Sequence, residues 1–158
     1  MSRSDPALSY NFSVTLLDSS TLLAIALTAI HLSPAGGFSE CSGLESTLDV
    51  EDYKEGGNNG TILHFPSRVS PKPITLKRGF VTPDLWRWQD DFARGVGRRR
   101  DGLITLYDDQ RKPLSTWSFL RAMPTRWRGP SFNATASQVA VEEMEIVHEG
   151  LQIVPTGA

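Results

Sequence analysis

The sequence predicts a mainly β fold that carries one α-helix. Several stretches alternate apolar and polar residues with period two, as half-buried strands do. One stretch has helix start and stop residues around an apolar stripe, and clusters of glycine and proline cut the remainder into short pieces. The 158 residues are enough for one domain with a real core, and positions 1–158 are read as a single domain. A hydrophobic content of 39% with 22% charged residues excludes intrinsic disorder. The net charge of −2 supplies no field to draw in nucleic acid or an anionic membrane.

The first strand is expected in YNFSVTL, where Tyr10, Phe12, Val14 and Leu16 alternate with Asn11, Ser13 and Thr15. The most apolar run follows, TLLAIALTAIHL from Thr21 to Leu32. It falls short of the roughly 20 residues a spanning helix needs, so no membrane anchor is expected. LESTLDVEDY repeats the strand pattern, with Leu44, Leu48 and Val50 sharing a face with Ser46 and with Glu45, Thr47, Asp49 and Glu51 opposite. A charged and glycine-rich stretch, VEDYKEGGNNG, closes it. PSRVSPKP, Pro66 to Pro73, then reads as extended and stiff, and ITLKRGF groups Ile74, Leu76 and Phe80 on one strand face.

The helix is expected from Pro83 to Arg94. Thr82 suits the N-cap, Pro83 the first helical position and Asp84 the positive end of the dipole. Leu85, Trp88, Phe92 and Val96 would share its apolar face, Asp90 and Arg94 form an i,i+4 pair, and Gly95 and Gly97 end it. GLITLYDD and LSTWSFLRA, opened by Pro113, read as a hairpin. PTRWRGP is expected to bend the chain between strands. In QVAVEEMEIVHEGL the apolar phase runs through Val139 and Val141, then slips at Glu142-Glu143 to Met144 and Ile146. A bulge accounts for the slip, as does a strand covered on both faces.

The residues show no catalytic set. His31, His64 and His148 have no metal-ligand spacing, and Cys41 is the single cysteine, so neither a metal nor an internal disulfide is expected. GFSEC lacks the closing glycine of a nucleophile elbow, which leaves Ser39 and Cys41 as strand residues. Gly60 is not followed by the Lys-Ser/Thr of a phosphate loop. An EF-hand counted from Asp49 would place Lys54 where glycine is required. Arg98-Arg99-Arg100 reads as a solvated turn beyond a helix C-terminus, where cations are favoured in any case. Trp86, Trp88, Trp117 and Trp127 read as core or interface residues. The N-terminal MSRSDPALSYNF has no apolar core of the signal-peptide type, so a cytoplasmic product without a cleaved leader is expected. On residues alone the chain reads as a structural or binding protein, expected to be oligomeric, with no enzymatic activity and no cofactor expected.

GGFSECSGLESTLDVEDYKEGGNNG resembles the tail tube proteins of contractile phages and of phage-tail-like contractile injection systems. ITLKRGF, DLWRWQ, RRDGLITLYDD and PTRWRGPSFNATASQVAVEEMEIVHEGL follow in the same order, so the resemblance runs from Tyr10 to Leu151. It implies a small antiparallel β-barrel or sandwich with one flanking helix. Six copies would form a ring, and rings would stack into a hollow inner tube inside a sheath. The partners implied are other copies, adjacent rings, the sheath, a spike or baseplate protein and protein cargo in the lumen. Assembly would be cytoplasmic, into a particle that can be released. A protruding loop over about 50–72 is implied to reach neighbouring subunits or rings through Glu51, Asp52, Tyr53, Lys54, Glu55, Gly56, Gly57, Asn58 and Asn59.

One segment departs from that family. SSTLLAIALTAIHLSPA, residues 19–35, is an apolar insert where typical tube subunits turn quickly. Leu22, Leu23, Ile25, Leu27 and Ile30 would be unfavourable left in water, so a spike or baseplate contact is expected there. The insert favours a tube initiator, the ring next to the spike. The alternatives are the main repeating tube subunit and a tube-fold secreted effector or binding module.

Overall fold

The structure, a computed structural model, describes residues 11–18, 37–57, 60–79, 83–135, 137 and 139–154. Among the described residues nine strands and one helix follow in order: β1 (Phe12–Asp18), β2 (Glu40–Ser42), β3 (Ser46–Tyr53), β4 (Leu63–Pro71), β5 (Ile74–Arg78), α1 (Pro83–Ala93), β6 (Arg100–Tyr107), β7 (Pro113–Arg128), β8 (Glu142–Val147) and β9 (Gly150–Val154). The fold is mainly β and every strand pair is antiparallel. Seven strands form one sheet in the order β1-β6-β7-β8-β5-β2, with β9 also on β7, and β3 and β4 form a second, two-stranded sheet.

The long β7 organises the main sheet. Its first part pairs with β6 and β9, and its last part with β8. Met123 faces Val147 and Leu120 faces Gly150, so β8 and β9 run as one interrupted strand along the same edge of β7. The interruption is held by charges. Arg121 takes a positive φ of 51°, its N–H donates to Asp101 Oδ1 at 2.6 Å, and Glu149 bridges Arg99 at 3.0 Å and Arg121 at 2.8 Å. Val14, Ile104 and Phe119 from one half of the sheet share a core with Ile74, Leu76, Met144 and Ile146 from the other. The sheet must therefore fold over on itself, as a small sandwich does.

Helix α1 closes this core with Leu85 and Trp88, both buried. The Trp88 indole N–H donates to Arg98 O at 2.9 Å, and the Arg100 guanidinium lies 5.0 Å above its ring. Asp90 and Arg94 pair at 2.8 Å, and Gly95 ends the helix with φ +77°. Phe119 lies so close over Gly102 that a Cβ there would come within 2.1 Å of its ring. Thr82 and Phe80, expected as N-cap and core residue, lie outside the described residues.

Four expectations need correction. In β8 the inward set is Glu142, Met144 and Ile146, while Val139 and Val141 are exposed. The slip at Glu142 arises because a charge is buried there: Arg78 on β5 pairs with Glu142, and both are fully enclosed. Trp127 Nε1 also donates to Glu142 Oε2 at 3.0 Å, and Arg78 sits 5.8 Å over the Phe38 ring. PTRWR does not bend the chain away; it continues β7, and the register shift between Pro124 and Arg126 accommodates the proline, which has no N–H to give the ladder. Val96 lies past the helix and is exposed. The Arg98–Arg100 segment is a clasp on Trp88 and Glu149 rather than a solvated turn.

Removing one partner of the buried pair should cost more than removing both. Arg78→Met should lose about 3–5 kcal/mol in a denaturant melt, because Glu142 stays buried without a countercharge. Arg78→Met combined with Glu142→Leu should recover most of that loss. A double variant no better than the single would show that the pair itself is strongly stabilising.

Candidate interaction surface

The β3–β4 hairpin stands apart from the core. Every residue of β3 is exposed, as is β4 until Ser70 and Pro71 at its base. The period-two pattern of LESTLDVEDY is a strand as expected, but among the described residues nothing buries its apolar face. Leu48 faces Val69, Val50 faces Pro66 and Asp52 faces His64. Leu48, Val50 and Val69 keep 52%, 54% and 62% of their surface in solvent. Past this apolar stripe the His64 Nδ1 lies 2.6 Å from Asp52 Oδ1. The opposite face carries Glu51 and Tyr53 with Leu63 and Phe65, and the Tyr53 and Phe65 rings meet edge-on with centroids 6.3 Å apart. A register shift between Leu48 and Val50 places a bulge midway along the ribbon, which increases its twist.

The base of the hairpin is tied down. Lys72 N–H donates to Glu45 O at 3.0 Å, and their side chains pair at 2.9 Å. The ring nitrogens of His148 lie 3.1 Å from Lys72 O and 3.0 Å from Gly150 O, joining the hairpin base to the main sheet. Gly43, at φ +88°, lets the chain enter β3 past Pro73; a Cβ there would be 2.1 Å from Pro73 O. The result is an anchored arm with solvent on both faces. A two-stranded ribbon of this kind is marginal by itself, and its outer strand edges offer unpaired backbone groups.

The same region holds most of the residues expected to make contacts. Glu51, Asp52 and Tyr53 end β3, Lys54 and Glu55 follow, and Gly56-Gly57 make the turn, with Gly57 at φ +92°. Asn58 and Asn59 lie outside the described residues, as do Leu22, Leu23, Ile25, Leu27 and Ile30 of the apolar insert. The exposed apolar stripe of Leu48, Val50, Pro66 and Val69 was hidden from sequence reasoning, because alternation marks an apolar face without saying what covers it. Among the described residues no group of three or more His, Cys, Asp and Glu side chains could hold a metal ion. None of their helices is long and apolar enough to cross a membrane.

The T4-like virus tail tube protein gp19 family matches residues 8–152. The chain belongs to that family. Solved structures similar to this tube protein agree. A chain of the six-fold symmetrised baseplate of the anti-feeding prophage is 26% identical, with a TM-score of 0.78 over 96% of the tube protein and 97% of its own length. A chain of the PVC sheath–tube complex in the extended state, from an extracellular contractile injection system, is 26% identical over 94% of the tube protein and 91% of itself, with a TM-score of 0.75. A chain of the PVC sheath/tube terminator in the extended state is 25% identical over 98% and 100%, with a TM-score of 0.78. No curated protein sequence matches the tube protein.

Two measurements test this description. Val50→Ser and Val69→Ser should each change the stability of the free tube protein by less than about 0.5 kcal/mol, as exposed positions do. A loss of 2 kcal/mol or more (roughly the cost of exposing a core aliphatic) would show that the stripe is covered within the chain. Burial, and secondarily Glu40, pushes the Cys41 thiol up to about 11 from its ordinary value of 9.0. The thiolate is the nucleophile, so alkylation should be slow at neutral pH and climb roughly ten-fold per pH unit until near that raised value. A rate that levels off near the ordinary thiol value would contradict it.

Proposed function

We propose that this tube protein is a ring subunit of the inner tube of a contractile injection system. Six copies close a ring, rings stack into a conduit, and a sheath surrounds it. The anchored arm supports this reading most directly. Leu48, Val50 and Val69, still half exposed, would each gain about 1 kcal/mol on burial of the remainder, roughly half of what full burial of such a side chain gives, and a neighbouring subunit or ring is the cover the family offers. Glu51 to Gly57 at the end of the arm then form the contact between copies, together with Asn58 and Asn59, which follow them in the sequence. Assembly is cytoplasmic, the particle can be released, and protein cargo can occupy the lumen. The role is structural, without enzymatic activity.

Within that role we place it at the first ring, beside the spike or baseplate. The apolar stretch 19–35 supports this, with Leu22, Leu23, Ile25, Leu27 and Ile30 as the contact. The similarity to a chain of a baseplate structure across 96% of the tube protein is compatible with it. The similarity to a terminator structure keeps the far end of the tube as the second reading.

Counting copies per intact particle, by quantitative mass spectrometry or reconstruction, tests the placement. One ring's worth of chains at the spike end is expected; many rings' worth makes this the repeating subunit. Deleting Lys54 to Asn59 should leave a folded monomer that no longer stacks. Unchanged stacking by that deletion would remove the arm from the interface.

A further inference from the structure

His148 lies in the short break between β8 and β9 and is buried, its ring beside Phe119 at a centroid distance of 6.0 Å. Both of its ring nitrogens face backbone carbonyls. Nδ1 is 3.0 Å from Gly150 O, two residues along the same segment, and Nε2 is 3.1 Å from Lys72 O, in the link between β4 and β5. A carbonyl oxygen can only accept. A neutral imidazole carries a single N–H, so either tautomer satisfies one carbonyl and sets a bare lone pair against the other. The imidazolium, with two N–H groups, donates to both. Burial alone would favour the neutral ring. Here two charge-assisted bonds, each about twice as strong as a neutral one, offset that preference.

The neighbouring charges have partners of their own. Glu149, next in the chain, is held by Arg99 ahead of β6 and by Arg121 on β7. Asp101 on β6 accepts from the Arg121 N–H. At the hairpin base Lys72 and Glu45 pair with each other at 2.9 Å. The two carbonyls differ in what they are attached to. Gly150 O belongs to the same short segment as the ring and stays beside it. Lys72 O belongs to the base of the arm. The β5–β8 ladder ends at Ile74 opposite Ile146, two residues short of Lys72 and His148, so the imidazole bond continues the pairing where the backbone stops. The Lys72 N–H bond to Glu45 O stays within the hairpin, whereas Nε2 to Lys72 O crosses from the arm to the main sheet.

We propose that His148 is a proton-operated latch for the arm: its imidazolium locks the base of the β3–β4 hairpin to the β8–β9 break, and loss of the proton releases Lys72 O. The latch works within one chain, so it goes beyond the ring reading and does not depend on it. Seating the ring on both carbonyls takes up a proton. The lock is therefore complete in acid and is lost as pH rises through the range in which histidines titrate. In the neutral ring the remaining proton stays on Nδ1, with Gly150 O.

Two measurements on the free full-length chain test the latch between about pH 5 and 9. In nitrogen-15 spectra the His148 ring should show two N–H signals in acid and one, on Nδ1, at the alkaline end. A ring that keeps the same number throughout overturns the proposal. In hydrogen exchange, protection of the β3–β4 amides is taken relative to the β6–β7 amides of the same sample, which cancels the intrinsic effect of pH. That ratio should fall by about ten-fold across the transition, as loss of one bond to a charged group implies. Titration of the ring with no change in the ratio also overturns it. His64, beside Asp52 on the arm, is the other histidine that could act there. His64→Gln should keep the pH dependence of the ratio and His148→Gln should abolish it. The reverse pattern assigns the effect to His64 and overturns the latch. Should His148→Gln fail to fold, the ring spectrum and His64→Gln still decide.

Discussion

The ion pair between Arg78 and Glu142 sets the register on which the body of the molecule depends. Each charge taken out of water costs several kcal/mol, and their mutual contact, together with the Trp127 N–H bond to Glu142, offsets that cost. A one-residue slip of β5 against β8 would turn one of them to solvent and strand the other inside. The pairing therefore holds β5 and β8 at a single register. Because β8 lies between β5 and β7, that register carries across the sheet to the rows Ile74–Ile146–Pro124 and Leu76–Met144–Trp127. Trp127 and Phe38 complete the enclosure, one bonding Glu142 and the other lying under Arg78. A charged row on the outer face, Glu40, Lys77, Glu143 and Arg128, follows from the same alignment, since alternate residues of the same strands carry it.

The arm obeys a different logic. The body has a buried core of its own, whereas β3 and β4 leave their apolar side chains in solvent and are tied to the main sheet at their base, where His148 meets Lys72 O. Local stability is low where few apolar contacts hold a segment, so the ribbon should open more readily than the body that carries it. Its charged residues, Asp49, Glu51 and Asp52 among them, keep a free ribbon soluble.

Much of this was readable in the sequence, and the failures share a cause. Strands with one covered face, such as Phe12–Val14–Leu16 and the β6–β7 hairpin, show themselves by alternation, and α1 by its stripe and terminal residues. The order of motifs from GGFSEC to HEGL identified the family. Alternation misled where a charge took an inward position, as Glu142 did while Val139 and Val141 stayed outside. It also could not say that the apolar side of Leu48 and Val50 would lack cover, because that depends on what lies beyond the chain. Pro124 was read as a bend because proline breaks ladders, yet a register shift absorbs it. The Arg98–Arg100 clasp needed Glu149, some 50 residues away, to be seen.

The charged face of the sheet has a kinetic consequence. Among the described residues of β2, β5, β8 and the end of β7, Glu40, Glu143 and Glu145 on this face are matched by Lys77, Arg126 and Arg128, so these six charges sum to zero. Opposite charges set this close cancel at a distance, and what little field remains is screened within about 10 Å at ordinary salt. Subunits would gain no long-range pull toward one another through this face. Their encounters in the proposed ring would then run at the unsteered rates set by diffusion and orientation, about 10⁵–10⁶ per molar per second. Discrimination would then fall at contact, where a wrongly turned neighbour would set carboxylate against carboxylate and leave again.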